Sequence, residues 1–268
     1  MTHPARVLIV AGSDSGGGAG IQADIKTVSA LSGYAMTAIT AVTVQNTTGV
    51  QSSYAVPATI VGDQMRAVLS DIGADAVKTG MLASIDIVEE VADVLAAHAS
   101  IPLVVDTVMI AKGGAALLND GGVAAMKRRL FPLAALVTPN APEAARLTGL
   151  SVETPEDLVR AAERLRDSGV RAVLVKGGHV AGESVSDVLA DAHGVHIFRT
   201  RRIEGRSTHG TGCTLASAIA TGLAQGFSLE DSIARARSFV QEAIRTGLPL
   251  GHGTGPLNHL HGIQPYEE

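Results

Sequence analysis

Ser207-Thr208-His209-Gly210-Thr211-Gly212-Cys213 runs directly into an alanine-rich stretch of helical spacing, residues 214–225. A glycine turn feeding a helix leaves backbone N–H groups unpaired at the positive end of the helix dipole, which suits a phosphate. Cys213, the one cysteine of the chain, falls in the first turn. A polarised thiol on the rim of an anion cradle points to phosphoryl chemistry, with Gly210, Thr211, Gly212 and Cys213 as the reacting cluster. Taken alone, the same letters read equally well as an ordinary helix start with a small buried thiol.

A second glycine loop, Gly12-Ser13-Asp14-Ser15-Gly16-Gly17-Gly18-Ala19-Gly20, separates the first apolar run from the first helical one. Gly18-Ala19-Gly20-Ile21-Gln22-Ala23 fits the dinucleotide pattern G-x-G-x-x-A. The acidic residue that such a site needs about 20 residues on, to hold a ribose, is missing. The second strand ends instead in Gln45-Asn46. No G-x-x-x-x-G-K-[ST] loop and no protein-kinase signature occurs, so a nucleotide bound here needs a different cradle.

Composition narrows the field. The chain has 268 residues, a formal charge of −5 and 3% aromatic residues without tryptophan, which argues against a nucleic-acid partner. A lone cysteine makes no internal disulfide, so a reducing cytoplasm is the expected compartment. The apolar run at residues 7–11 is too short for a signal peptide or a membrane span.

These loops must be positioned by alternating short strands and longer amphipathic helices. The spacing predicts strands at 6–11, 37–44, 52–56, 76–79, 103–106, 135–137 and 172–176, with an antiparallel pair at 185–189 and 195–199. Helices are expected from the first glycine loop to about residue 31, then at 59–72, 85–98, within 115–130, at 142–147, 155–168, 210–225 and 229–247. Such alternation implies an α/β fold, a mostly parallel central sheet with helices on both faces. No linker or repeat divides residues 1–268, so one domain is expected.

Together with Thr138-Pro139-Asn140-x-x-Glu143, these motifs resemble the ribokinase-like superfamily of small-molecule kinases, a three-layer α/β/α fold. The closer resemblance is to the hydroxymethylpyrimidine/phosphomethylpyrimidine kinases of thiamine biosynthesis. It is carried by residues 11–24, Thr43-Val44-Gln45-Asn46-Thr47, Lys78-Thr79-Gly80-Met81-Leu82, Asp106-x-Val108-Met109, Val175-Lys176-Gly177-Gly178-His179, residues 207–213 and Gly251-His252-Gly253-Thr254-Gly255-Pro256. Cysteine in the glycine turn separates this branch from relatives with aspartate there. Thr107 departs from the Asp-Pro-Val-Met often found in the family, and Gly205-Arg206 lacks a threonine often found before Ser207.

The resemblance implies ATP-dependent phosphorylation of 4-amino-5-hydroxymethyl-2-methylpyrimidine and then of its monophosphate. Pyridoxal kinase is the nearest rival, and a pyrimidine-binding protein without catalysis is a third reading. By the same resemblance, Gly12, Ala19, Asp24, Gln45, Met81 and Val108 would meet the pyrimidine, Asp24 and Gln45 at its polar edge. Asn140, Lys176, Thr208, Gly212 and Lys112 would meet ATP, and Glu143 and Asp106 would hold Mg²⁺, with Asn140 helping to position it. A homodimer is implied as well. Cys213 would take the hydroxymethyl proton, its pKa lowered by the helix start. Asn140 and Glu143 also fit a helix cap with an acidic first turn. His252, His259 and His261 match no zinc spacing and read as a solvated tail.

Overall fold

Alternation along the first strand divides the core in two. In β1, Arg6–Asp14, Leu8 and Val10 enter one buried apolar cluster, while Val7, Ile9 and Ala11 enter another. Successive strand residues point to opposite faces, so a strand apolar on both must be covered on both. The computed structural model describes residues 3–110 and 117–263.

The other strands are β2 (Tyr34–Asn46), β3 (Gly49–Ala55), β4 (Ala76–Thr79), β5 (Leu103–Val105), β6 (Leu136–Val137), β7 (Val173–Val175), β8 (Ser184–Asp191) and β9 (Gly194–Arg201). They form one sheet in the order β3-β2-β1-β4-β5-β6-β7-β8-β9. The six strands from β2 to β7 in that order run parallel, and β3, β8 and β9 are antiparallel additions.

On the Leu8 face lie α2 (Ala58–Asp71), α3 (Ile85–Ala96), α4 (Asp120–Arg129), α5 (Ala141–Thr148) and α6 (Pro155–Asp167). The Val7 face carries α1 (Gly20–Ala30), α7 (Thr211–Ala224) and α8 (Leu229–Arg245). The small residues of α7 let it lie close to its neighbours: a Cβ on Gly222 would stand 2.6 Å from Ser232 Oγ of α8. This is the expected three-layer α/β/α architecture.

Two differences from the expected elements have local causes. β1 and β2 run on through Ser13-Asp14 and Gln45-Asn46, because pairing resumes beyond a bulge, with Asp14 opposite Thr43. The helix expected within 115–130 starts only at Asp120, where Asn119 accepts a hydrogen bond from the Gly122 N–H. Among the described residues, no helix is long and apolar enough to cross a membrane.

Gln45, Asp106, Asn140 and Lys176 all stand at the carboxyl ends of parallel strands or just beyond them. The first glycine loop leaves β1 where the connections diverge, to β2 on one side and β4 on the other. Open α/β sheets place their ligands at such a point.

Candidate active site

The two glycine loops meet over this edge. Asp14 gathers the first: its Oδ1 accepts from the Gly16 N–H at 2.8 Å, and its Oδ2 from the N–H groups of Gly18 and Ala19 at 3.1 and 2.8 Å. His209 Nε2 completes the shell 2.9 Å from Oδ2. Burial pushes the Asp14 carboxyl up, but the bonds from His209, Gly16 and Ala19 prevail and hold it below the usual carboxylate range. Gly210 must be glycine: its φ is +85° and a Cβ would stand 2.0 Å from the Gly18 carbonyl oxygen.

Gly210 begins α7 without a side-chain cap. The Thr214 N–H is the first to bond back into the helix, to the Gly210 carbonyl at 2.9 Å. The N–H groups of Thr211, Gly212 and Cys213 are thus the donors offered at the helix start. Thr211, Gly212 and Cys213 line a cleft of about 910 Å³, together with Gly12, Ala19, Gln45, Met81, Asp106, Val108, Asn140, Glu143, Lys176, Thr208 and Gly210.

Asp24 does not join them, and the role expected for it at the pyrimidine edge is corrected. It is fully buried on the inner side of α1, where Lys78 Nζ approaches its two oxygens at 2.9 and 2.8 Å. Ser217 of α7 donates to the same carboxylate at 2.7 Å. Burial alone would lower the Lys78 pKa, but the Asp24 contact prevails, and the ammonium is held charged under the cleft.

The expected lowering of the Cys213 pKa is corrected too. The residue as a whole is half-buried. Removal of the sulfur from water pushes it up to about 11; Lys78 pulls it down, and the negative charges of Asp24 and Asp106 oppose Lys78. The helix start does not outweigh that desolvation, so the thiol holds its proton at neutral pH.

Across the cleft, Lys176 Nζ stands 2.8 Å from Asp106 Oδ1, and a Cβ on Gly212 would lie 3.3 Å from that ammonium. The attraction of Asp106 outweighs burial and raises the Lys176 pKa. Asn140 and Glu143 do form the reciprocal helix cap: Asn140 Oδ1 accepts from the Glu143 N–H, and Glu143 Oε2 from the Asn140 N–H, both at 2.9 Å. Both still face the cleft. Thr107, where the resemblance leads to proline, donates its hydroxyl to Glu143 Oε2 at 2.9 Å.

These residues suit a magnesium ion only in company with phosphates. Among the described residues, no group of three or more potential ligands of the His, Cys, Asp and Glu types occurs. Asp106 Oδ2, however, is buried with no hydrogen-bond partner. Mg²⁺ is commonly held by one or two carboxylates, waters and substrate phosphates, and Asp106 with Glu143 could supply the protein's share.

Lys112 lies outside the described residues. The histidine-bearing tail is not uniformly solvated as expected: His259 is buried, its Nε2 2.9 Å from Thr214 Oγ1 of α7.

The sequence profile of the family described as phosphomethylpyrimidine kinase matches residues 14–258. The chain belongs to this family. It is 54% identical to the thiamine biosynthesis bifunctional protein ThiED of Geobacter sulfurreducens, over 95% of the chain but 52% of that longer protein. With the hydroxymethylpyrimidine/phosphomethylpyrimidine kinase of Streptomyces coelicolor it shares 50% identity over 96% of the chain and 94% of the relative. A pyridoxal kinase of Staphylococcus aureus, solved in complex with AMP-PCP and pyridoxal, superposes with a TM-score of 0.89 at 35% identity, covering 96% of the chain and 94% of that structure.

Within this phosphomethylpyrimidine kinase site, sequence reasoning assigned no role to Asp14, Lys78, Thr107 or His209. One signal was available: a lysine inside the short strand Ala76–Thr79, buried at all four positions, must have a buried partner. Nothing local marks Asp24 as that partner.

Proposed function

We propose that the chain transfers the γ-phosphoryl group of ATP to the hydroxymethyl oxygen of 4-amino-5-hydroxymethyl-2-methylpyrimidine, and then a second phosphoryl group to the monophosphate so formed. One observation carries the reading: the Lys176 ammonium stands over the uncapped start of α7, at the cleft that Gln45 also lines. Phosphoryl transfer asks chiefly for in-line positioning and charge neutralisation, and this arrangement offers the neutralising charge.

Gln45 takes the polar edge of the ring, since its side-chain amide offers a donor and an acceptor together. Gly12 leaves room beside Met81: a Cβ there would lie 3.4 Å from the Met81 sulfur. Met81 and Val108 form apolar walls. The N–H groups of Thr211, Gly212 and Cys213 and the Lys176 ammonium hold the charge that develops on the transferred group. Asn140 and Thr208 bind the nucleotide. Asp106 and Glu143 would hold magnesium, which when bound neutralises phosphate charge.

In the first step the hydroxymethyl oxygen bonds to phosphorus, ADP leaves, and the hydroxyl proton departs to the ionised form of Cys213. In the second step the attacking phosphate is already largely ionised, with a pKa of about 6, and needs no such base. A phosphorus NMR time course with ATP and the hydroxymethylpyrimidine tests the reading: a monophosphate followed by a diphosphate is expected. ADP formation without a pyrimidine phosphate contradicts it.

Pyridoxal phosphorylation is the second reading, favoured by the close superposition on the pyridoxal kinase. The intact Lys176–Asp106 pair weighs against a protein that only binds. The proposal includes a cytoplasmic homodimer in which the whole chain acts as one kinase unit. Exposed Val42, Val44 and Tyr54 on β2 and β3 supply apolar surface for the dimer contact.

A further inference from the structure

We propose that His209 is a positioning residue for specificity: it fixes which way round the Gln45 amide faces the cleft, so that the site accepts one donor–acceptor pattern on the substrate ring and rejects its reverse. The inference rests on Gln45 meeting the ring edge.

The argument starts at Asp14. Its carboxylate is nearly fully buried and accepts three backbone N–H bonds, so it is ionised and can only accept. His209 Nε2, 2.9 Å away, therefore carries a hydrogen. As placed, Gln45 Nε2 stands 3.2 Å from the same His209 Nε2. That sets donor against donor, whereas the amide turned over would bring its oxygen to share the Nε2–H with Asp14 Oδ2.

The other end of the amide gives the same answer independently. Thr43 Oγ1 lies 2.8 Å from the Ser13 carbonyl oxygen, an acceptor that takes the hydroxyl hydrogen. As placed, Gln45 Oε1 stands 3.2 Å from Thr43 Oγ1, whose one hydrogen is spent on Ser13, so turning the amide over would bring its NH₂ to a hydroxyl lone pair. Side-chain amides are assigned by such networks, and both neighbours demand oxygen toward His209 and nitrogen toward Thr43.

The ring that imposes this packs directly against the first glycine loop. A Cβ on Gly18 would lie 2.6 Å from the His209 ring, so glycine is what admits the ring against the loop. The His209 main-chain N–H is tied to the Gly255 carbonyl at 3.1 Å. A pinned amide distinguishes an amino group beside a bare ring nitrogen from a carbonyl beside a ring N–H; a freely turning amide serves both.

The test uses the full-length enzyme with Mg-ATP and two acceptors, the 4-aminopyrimidine and its 4-oxo counterpart. His209→Leu removes the donor. His209→Gln puts an amide nitrogen near the position of Nε2. The expected result is a fall of at least about tenfold in the amino-over-oxo ratio of kcat/KM for the leucine variant, with the ratio largely restored in the glutamine variant. A leucine variant that keeps the wild-type ratio, its KM raised equally for both rings, overturns the proposal.

Nitrogen NMR of the wild-type histidine needs neither turnover nor a variant. A hydrogen on Nε2 at neutral pH is expected, and a bare Nε2 with the hydrogen on Nδ1 overturns the proposal. If the wild type phosphorylates neither pyrimidine, the pyrimidine-substrate reading fails, and the nitrogen spectrum decides the amide orientation by itself.

Discussion

The Lys78 ammonium lies 2.9 and 2.8 Å from the two carboxylate oxygens of Asp24, and neither side chain has any exposure to solvent. The pair ties α1 to β4, and through Ser217 to α7, directly beneath the cleft. A buried ion pair is weak evidence for net stability, but one deprived of a partner is costly.

Lys78→Met should therefore destabilise the fold by about 3–5 kcal/mol, because it strands the Asp24 carboxylate. The double variant Lys78→Met/Asp24→Leu should regain most of that loss. Urea denaturation of the three proteins checks both statements. Equal destabilisation by the single and double variants would show that the pair is not what holds these elements.

Lys176→Met should lower kcat by about 10²–10³-fold, the loss seen when one preorganised donor to a developing anion is removed. The fold should persist with a smaller loss than in Lys78→Met, since Lys176 keeps 13% of its side chain exposed and its partner Asp106 also faces the cleft, where water can take the place of the ammonium. Steady-state kinetics and a thermal melt separate the two effects.

The capping pair Asn140 and Glu143 was legible, because its partners are three residues apart and helical geometry alone joins them. The alternating strands and helices were legible for a similar reason: apolar runs such as Val7-Leu8-Ile9-Val10 carry their own periodicity. The floor of the site was not. Lys78 and Asp24 are separated by 54 residues and His209 and Gln45 by 164, so only the sheet order brings them together. The Cys213 pKa was misjudged because a helix start is visible in the letters, whereas desolvation depends on what surrounds the sulfur.

Cys213 should make only the first phosphorylation pH-dependent. With the thiol near 11, its ionised fraction grows about tenfold per pH unit through neutrality and beyond. The rate with the hydroxymethylpyrimidine should rise with pH over that range, and the rate with the monophosphate should stay nearly level. Cys213→Ala should flatten the first profile and cost the first reaction far more than the second. Equal losses in the two reactions would defeat this division of labour.

His259 should make stability fall on mild acidification. Burial, with help from Lys26 and His261, holds its folded pKa down to about 4 against 6.5 for the free side chain. The unfolded chain therefore takes up the proton first, and stability present above pH 6.5 is lost as pH falls towards 4. Between pH 7.5 and 5 the loss should be about 2 kcal/mol. His259→Gln should lack that increment, and denaturation curves at the two pH values read the difference.

The most direct measurement is ADP release by the purified protein with Mg-ATP and, in separate reactions, the hydroxymethylpyrimidine, its monophosphate and pyridoxal. Turnover with both pyrimidines and little with pyridoxal is the predicted result. Turnover with pyridoxal alone would contradict the assigned substrate while leaving the phosphate site intact, and no turnover with any acceptor would contradict the kinase reading itself.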